Sequence, residues 1–466
     1  MEDTASSPRN GDVVLISCYE LGHQPMGLAS PMAFLARAGF SVSAIDVSVD
    51  DWEDVDEDRI RRARLIALSV PMHTALRLGI RLVQRVRALN PKSHICFYGL
   101  YAALNADYLL ANGANSILGG EFEQALVRLA QELARDGRPR VSQDAAPLLE
   151  KLRFPVPRRE GLPSLDRYAH LERGGRFGLV GYVEASRGCL HLCRHCPIPP
   201  VYKGRFFVVP QEVVLADVQQ LVDSGASHIT FGDPDFLNGP GHSMSIARAL
   251  HRRHPQVTFD FTAKVEHLLK YRDLLPELGK LGCLFVVTAV ESLSNDVLRE
   301  LDKGHTRDDA VAAMDALRDA GIAPRPTWVA FTPWTTLGDY LDVLDWIEER
   351  DLVDHVDPVQ FSVRLLVPPG SSLLGRESME PYLQDLVPET FTYPWTHPDP
   401  RMDDLHGRVT TLVEQSTEAE EDPVVTFARI RDLACLLAGE APSPNLSPPA
   451  SIDRVRAPRL TEAWFC

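Results

Sequence analysis

Short apolar runs, each followed by an amphipathic stretch, recur through most of this chain, and that alternation confines it to parallel sheets covered by helices. In the first segment DVVLISCY, FSVSAIDVS, LIALSV, HICFYG and SILGG read as strands. SPMAFLARAG, LRLGIRLVQRVRALNP, LNADYLLANG and EFEQALVRLAQELARDG read as the helices between and after them. Five strands in a segment this short predict an α/β, flavodoxin-like doubly wound domain over residues 1–137. The alternation then breaks into RPRVSQDAAPLLEKLRFPVPRREGLPSLDRY, rich in proline and arginine, which reads as a linker over 138–177. It resumes with LVGYVEAS, HITFGD, VTFDFTAK, LFVVTAVES, APRPTWVAF and VDPVQFSVRLL. Six strands alternating with helices predict a partial (β/α)6 barrel over 178–375, with reactive groups at the C-terminal strand ends. Residues 376–466 read as two helices and a proline-rich tail.

Composition narrows the function. A chain of 466 residues with 45% apolar and 24% charged side chains suits a globular protein with sizeable cores. No window approaches the run of about eighteen apolar residues that a membrane span needs. MEDTASSPRNGD is polar, with no apolar stretch after a basic start, so a cytoplasmic protein is expected. The formal charge of −16 argues against nucleic acid as a partner and favours a small-molecule or peptide substrate. Eight cysteines without a signal sequence do not suggest a disulfide scaffold; three close together point to metal or redox work.

Those three are Cys189, Cys193 and Cys196 in EASRGCLHLCRHCPIPP, spaced C-x3-C-x2-C directly after an apolar strand. Three thiolates at this spacing can hold three irons of a 4Fe-4S cluster and leave the fourth iron for a ligand. Zinc is the alternative, with His191 or His195 as fourth ligand, and would make the chain a zinc-stabilised interaction protein without enzymatic activity. Cys18, Cys96, Cys283 and Cys435 lie in apolar surroundings and read as core residues.

From Leu179 to Ser372 the chain resembles the radical S-adenosylmethionine (SAM) superfamily, which places this loop after the first strand of a partial barrel. The resemblance implies that SAM occupies the free iron and is cleaved reductively to a 5′-deoxyadenosyl radical. It implies an electron donor such as flavodoxin or ferredoxin. His195 takes the position before the third cysteine, where the family packs near the adenine. Gly232 and Asp233 in HITFGDPDF resemble the glycine-rich segment that meets the SAM amino group; a plain turn is the bland reading. Glu291, ending LFVVTAVE, resembles the acidic residue on the ribose hydroxyls, and Lys264, ending FDFTAK, is expected on the same face or at its rim.

A flavodoxin-like domain ahead of such a barrel resembles the cobalamin-dependent branch. That resemblance implies a corrinoid at the C-terminal edge of the first sheet, contacted by the loops carrying Val70, Pro71, Met72 and His73, then Gly99, Leu100 and Tyr101, then Gly119, Gly120 and Glu121. The D-x-H-x-x-G motif that supplies an axial histidine elsewhere is missing, and His73 stands in the wrong setting to replace it. The commonest chemistry of the branch is methyl transfer, with radical rearrangement or oxidation as the alternative. A methylthiotransferase is a further reading, disfavoured because Cys18 and Cys96 are isolated. The ending RLTEAWFC resembles a small group of radical SAM proteins that continue with Cys or selenocysteine and then Ala-Glu-Pro. It implies a selenoprotein in which Cys466 is catalytic, as the first of a vicinal redox pair; an ordinary frayed terminus is the alternative.

Overall fold

A computed structural model describes residues 9–136, 146–440 and 456–462. The first domain holds β1 (Arg9–Ser17), β2 (Phe40–Asp46), β3 (Leu65–Ser69), β4 (His94–Tyr98) and β5 (Ser116–Leu118), all parallel, in the order β2-β1-β3-β4-β5. This is the flavodoxin order, in which ligands bind beyond the C-terminal strand ends beside the β1/β3 switch point. β3 is buried along its whole length, as a central strand covered on both faces must be. Helix Glu123–Asp136 covers one face through Leu126, Leu129, Ala130 and Leu133, whose three- and four-residue spacing puts them on one stripe. Helix His73–Leu89 covers the other through Leu76, Val83 and Val86.

The second sheet comprises β6 (His170–Arg173), β7 (Arg176–Val183), β10 (His228–Phe231), β11 (Thr258–Ala263), β12 (Cys283–Glu291), β13 (Ala323–Trp328) and β14 (Arg459–Leu460). A small ribbon, β8 (Ser186–Gly188) with β9 (Phe206–Val208), carries the cysteine loop between its strands. β7, β10, β11, β12 and β13 run parallel, with helices after each. Phe231, Phe259, Phe261 and Trp328 from these strands fill the core beneath those helices. Thr306 and Thr336 start two of the helices with capping boxes closed by Asp309 and Asp339.

Where a sixth parallel strand was expected, VDPVQFSVRLL forms the 3-10 turn Pro358–Ser362 and a single parallel bridge, Phe331 to Arg364. β13 pairs with β12 along its length, so the N–H groups that Pro324 and Pro326 lack are those that would have faced a further strand. The segment expected to be pure linker contributes β6, paired antiparallel with β7, and the C-terminal β14 adds to β6 from the far end of the chain. Arg159 pins the same segment down: it binds both oxygens of buried Asp217 at 2.9 and 2.7 Å and donates to the Tyr182 carbonyl and to Gln24. The two helices expected in the C-terminal region are Pro400–Glu418 and Pro423–Ala438, and they pack beside the barrel.

Candidate active site at the junction of the two domains

The C-terminal ends of both sheets open onto one cleft of about 220 Å³. Glu20, Ser69, Met72, Gly99 and Gly120 line it from the first domain; Tyr182, Glu184 and Gly232 from the barrel; Ser186, Arg187, Ile198 and Tyr202 from the ribbon that carries the cysteine loop. Gly27 lies on the floor, where a Cβ would stand 2.2 Å from the Ser69 hydroxyl oxygen, so this wall is closed to any side chain. Gly99 holds φ at +108°, a backbone that favours glycine and lets the wall turn sharply after β4.

Of the loop residues expected around a corrinoid, Met72, Gly99, Leu100 and Gly120 line the cleft with Pro71. The others stand elsewhere. Val70 and Tyr101 are buried in the first-domain core. His73 turns away: its Nε2 meets the Thr390 carbonyl at 2.8 Å and its ring packs on Phe391. A Cβ on Gly119 would press on Ala103 behind the wall. Glu121 accepts from the Tyr202 hydroxyl at 3.0 Å and lies 3.6 Å from Arg187.

Arg187 was not expected to matter, and it holds the junction together. It reaches from the ribbon to Glu184 at 2.7 Å and across the domain boundary to Glu123 at 2.5 Å, with Ser30 at 3.1 Å and the Phe154 ring beneath it. Its place in SRGC, one residue before the glycine and two before the first cysteine, was the available signal.

Gly188 and Ile198, on either side of the three cysteines, line the same cleft. Cys189 and Cys193 are buried and Cys196 is half-buried, and none is in a disulfide. Burial pushes the Cys196 thiol up to about 12, and coordination to a metal would favour its thiolate, the form in which a cluster would bind it. Cys189 is prepared for that charge. The Leu190 N–H donates to Asn238 Oδ1 at 3.4 Å, which turns the Asn238 amide so that Nδ2 faces the Cys189 sulfur at 3.6 Å. Hydrogen bonds to cluster sulfurs are among the levers on reduction potential. The two histidines weighed as zinc ligands are turned to other partners. His191 meets Asp235 and His267 through Nε2, both at 3.5 Å, and Lys264 through Nδ1 at 3.2 Å. His195 Nε2 meets Glu291 at 3.2 Å.

Glu291 ends β12 with φ at +67°, a strained backbone for a non-glycine residue and one that clusters at functional sites. Lys303, also missed from sequence, pairs with it at 3.1 Å, and both are buried. Burial pushes the Glu291 carboxyl up, but the Lys303 ammonium and His195 overcome this and hold it down at about 2. Lys303 also acts electrostatically on Cys193 and Cys196. His195 Nδ1 is buried without a hydrogen-bond partner, which fits a polar ligand beside the loop. Gly232 lines the cleft. Asp233 does not face it as expected: it is buried and accepts from Ala185 N–H at 2.9 Å and Ser186 hydroxyl at 2.5 Å, bracing the strand that leads to the cysteines. Lys264 is buried and lies 3.3 Å from Glu266 as well as against His191, so it is no rim charge. Cys466 lies outside the described residues.

Burial raises the Glu20 carboxyl to about 8, despite two hydrogen bonds from Gly27 N–H, and that of Asp233 to about 7. Above about pH 6.5 the carboxyls and most histidines of an unfolded chain have lost their protons, while these two keep theirs in the fold. The folded state then binds more protons, and its stability falls as pH rises through about 8. Urea denaturation of the cofactor-free protein should give a lower midpoint at about pH 8.5 than at about pH 6.5.

Comparison with known proteins agrees with this geometry. Residues 12–130 match the family model "B12 binding domain" and residues 183–346 match "Radical SAM superfamily". Hopanoid C-3 methylase of Methylococcus capsulatus is 23% identical over 324 residues, covering 67% of this chain. The chain spans 62% of that relative's length. The cobalamin-dependent SAM radical enzyme OxsB, solved with aqua-cobalamin and SAM bound, superposes with a TM-score of 0.68 at 14% identity, over 87% of this chain and 67% of that one. The radical SAM methyltransferase TsrM of Kitasatospora setae, solved with tryptophan substrate and a SAM analogue, gives 0.67 at 16% identity, over 96% and 93%. No helix among the described residues is long and apolar enough to cross a membrane. The chain thus carries a B12-binding domain and a radical SAM domain, and the two meet around one shared cleft.

Proposed function

We propose that this protein cleaves SAM reductively and uses the resulting radical, with cobalamin, to transfer a methyl group to an unactivated centre of a small-molecule or peptide substrate in the cytoplasm. The observation that supports this most is convergence: Gly188 and Ile198, which bracket the three cysteines, and the ligand-binding edge of the flavodoxin-like sheet line one cleft. A 4Fe-4S cluster on Cys189, Cys193 and Cys196 would supply the electron that breaks the SAM sulfur–carbon bond, and a corrinoid would carry the methyl group. The chain's own residues position and shield these groups. Met72, Gly99, Leu100 and Gly120 form the wall on which the corrinoid would lie. Glu291, held ionised, offers carboxylate oxygens to a ribose diol, and His195 presents its unpartnered Nδ1 beside it. Asn238 donates to Cys189, and Lys303 places a positive charge near the other two thiolates. Tyr182 and Phe122 narrow the cleft with apolar surface, which excludes water from a radical.

The test is product analysis with the reconstituted protein, SAM and a reductant. 5′-Deoxyadenosine together with S-adenosylhomocysteine is the expected pair, because a SAM methyl has then been given up as well. 5′-Deoxyadenosine alone, with corrinoid loaded, would point instead to rearrangement or oxidation without methylation. Cys466 enters this reading as a redox group. The nearby Glu462 accepts from the Tyr19 hydroxyl at 2.8 Å, and Tyr19 adjoins cleft-lining Glu20.

A further inference from the structure

The chain carries a formal charge of −16, yet no Asp or Glu occurs between Glu184 and Glu212. That stretch holds the cysteine loop and four cations: Arg187, Arg194, Lys203 and Arg205. Arg187 is consumed by the domain junction, and Arg194 lies 3.6 Å from Asp302. Lys203 and Arg205 are exposed and have no ion-pair partner among the described residues.

They flank two leucines with no evident reason to face solvent. Leu190 and Leu192, one residue from Cys189 and Cys193, are 46% and 57% exposed, and Val208 on the adjoining ribbon is 39% exposed. The short helix Ile198–Tyr202 ends in a left-handed turn through Lys203 and Gly204, which brings the cations back over the loop. A Cβ on Gly204 would stand 3.4 Å from Leu192 Cδ2 and 3.6 Å from the Leu190 carbonyl oxygen. The result is an apolar patch with a basic rim directly over two of the cluster ligands, on an otherwise acidic protein.

We propose that Leu190, Leu192, Lys203 and Arg205 form the docking surface for a small acidic electron-carrier protein. The inference rests on the reading of the cysteine loop as a reducible cluster site. Weak electron-transfer complexes use small interfaces in which complementary charge sets the association rate. Negative charge elsewhere on the chain repels an acidic carrier, so the basic rim directs it to this face. One electron then passes from the carrier's reduced flavin to the oxidised cluster through the leucine patch; no proton or atom crosses.

The holoenzyme is mixed in stopped flow with an acidic flavodoxin in its fully reduced form, and separately with a small photoreduced deazaflavin, while cluster absorbance is followed. The Lys203→Glu/Arg205→Glu double variant is expected to slow flavodoxin-driven reduction about tenfold at low ionic strength, an effect that fades in high salt. Leu192→Ser should slow it as well, and deazaflavin reduction should be unchanged in both variants. Unchanged flavodoxin rates, or equal slowing with both reductants, overturns the proposal. So does a fall in sedimentation mass of the leucine variant, which would assign the patch to a second copy of this chain. Failure of the underlying reading looks different: the wild-type protein would show no reducible cluster with either reductant.

Discussion

Replacing Arg187 with methionine is expected to cost about 3–5 kcal/mol of stability, because it leaves Glu121, Glu123 and Glu184 facing one another without their cation. Glu121 and Glu123 are buried and each keeps an oxygen with no hydrogen-bond partner; the Tyr202 and Ser30 hydroxyls on their other oxygens bring no compensating charge. The loss is concentrated at the domain boundary, since Glu123 opens the last helix of the first domain and Arg187 belongs to the ribbon that holds the cysteine loop. Lowering the pH protonates the stranded carboxyls, so the deficit shrinks in acid. Urea denaturation of wild type and Arg187→Met at two pH values checks both points. Equal stability of the two proteins at neutral pH would show that the network does not hold the domains together.

The second large effect is expected at Lys303. Lys303→Met strands Glu291, whose remaining polar partner is His195, and breaking a buried pair in this way costs about 3–5 kcal/mol. In the intact protein the depressed Glu291 contributes stability that is present above its unfolded value of about 4.3 and is lost as pH falls towards about 2. The variant forfeits that contribution at neutral pH and loses little more in strong acid. Because Lys303 also acts on Cys193 and Cys196, its removal should lower the reduction potential of a cluster bound there, a change that misfolding alone would not produce. A potentiometric titration followed by electron paramagnetic resonance separates the two effects.

What could be read from sequence was local. C-x3-C-x2-C is a spacing within one loop, and the alternation of β1 to β5 with their helices is a periodicity within short windows. What could not be read depends on contacts between distant residues. Glu121 in GGEFE was expected to touch a cofactor, but the fold gives it to Tyr202, 81 positions later. His73 was placed at the corrinoid because it follows β3, whereas its partner Thr390 comes from the C-terminal region, 317 positions away. Lys303 follows Glu291 by 12 residues, through a helix whose geometry no motif encodes. The sixth strand is absent for a reason present in APRPTWVAF: prolines at alternate positions end a ladder. β14 is two residues long and pairs with a strand almost 290 positions earlier, beyond any periodicity argument.

The central claim, that Cys189, Cys193 and Cys196 hold a cluster that cleaves SAM beside a bound corrinoid, is tested most directly on anaerobically reconstituted protein. Iron, sulfide, cobalt and reductant-dependent 5′-deoxyadenosine are measured for wild type and Cys193→Ala. The account predicts about four irons and one cobalt per chain, with nucleoside formation abolished and cobalt retained in the variant. Zinc in place of iron, or 5′-deoxyadenosine formed equally by Cys193→Ala, would contradict it.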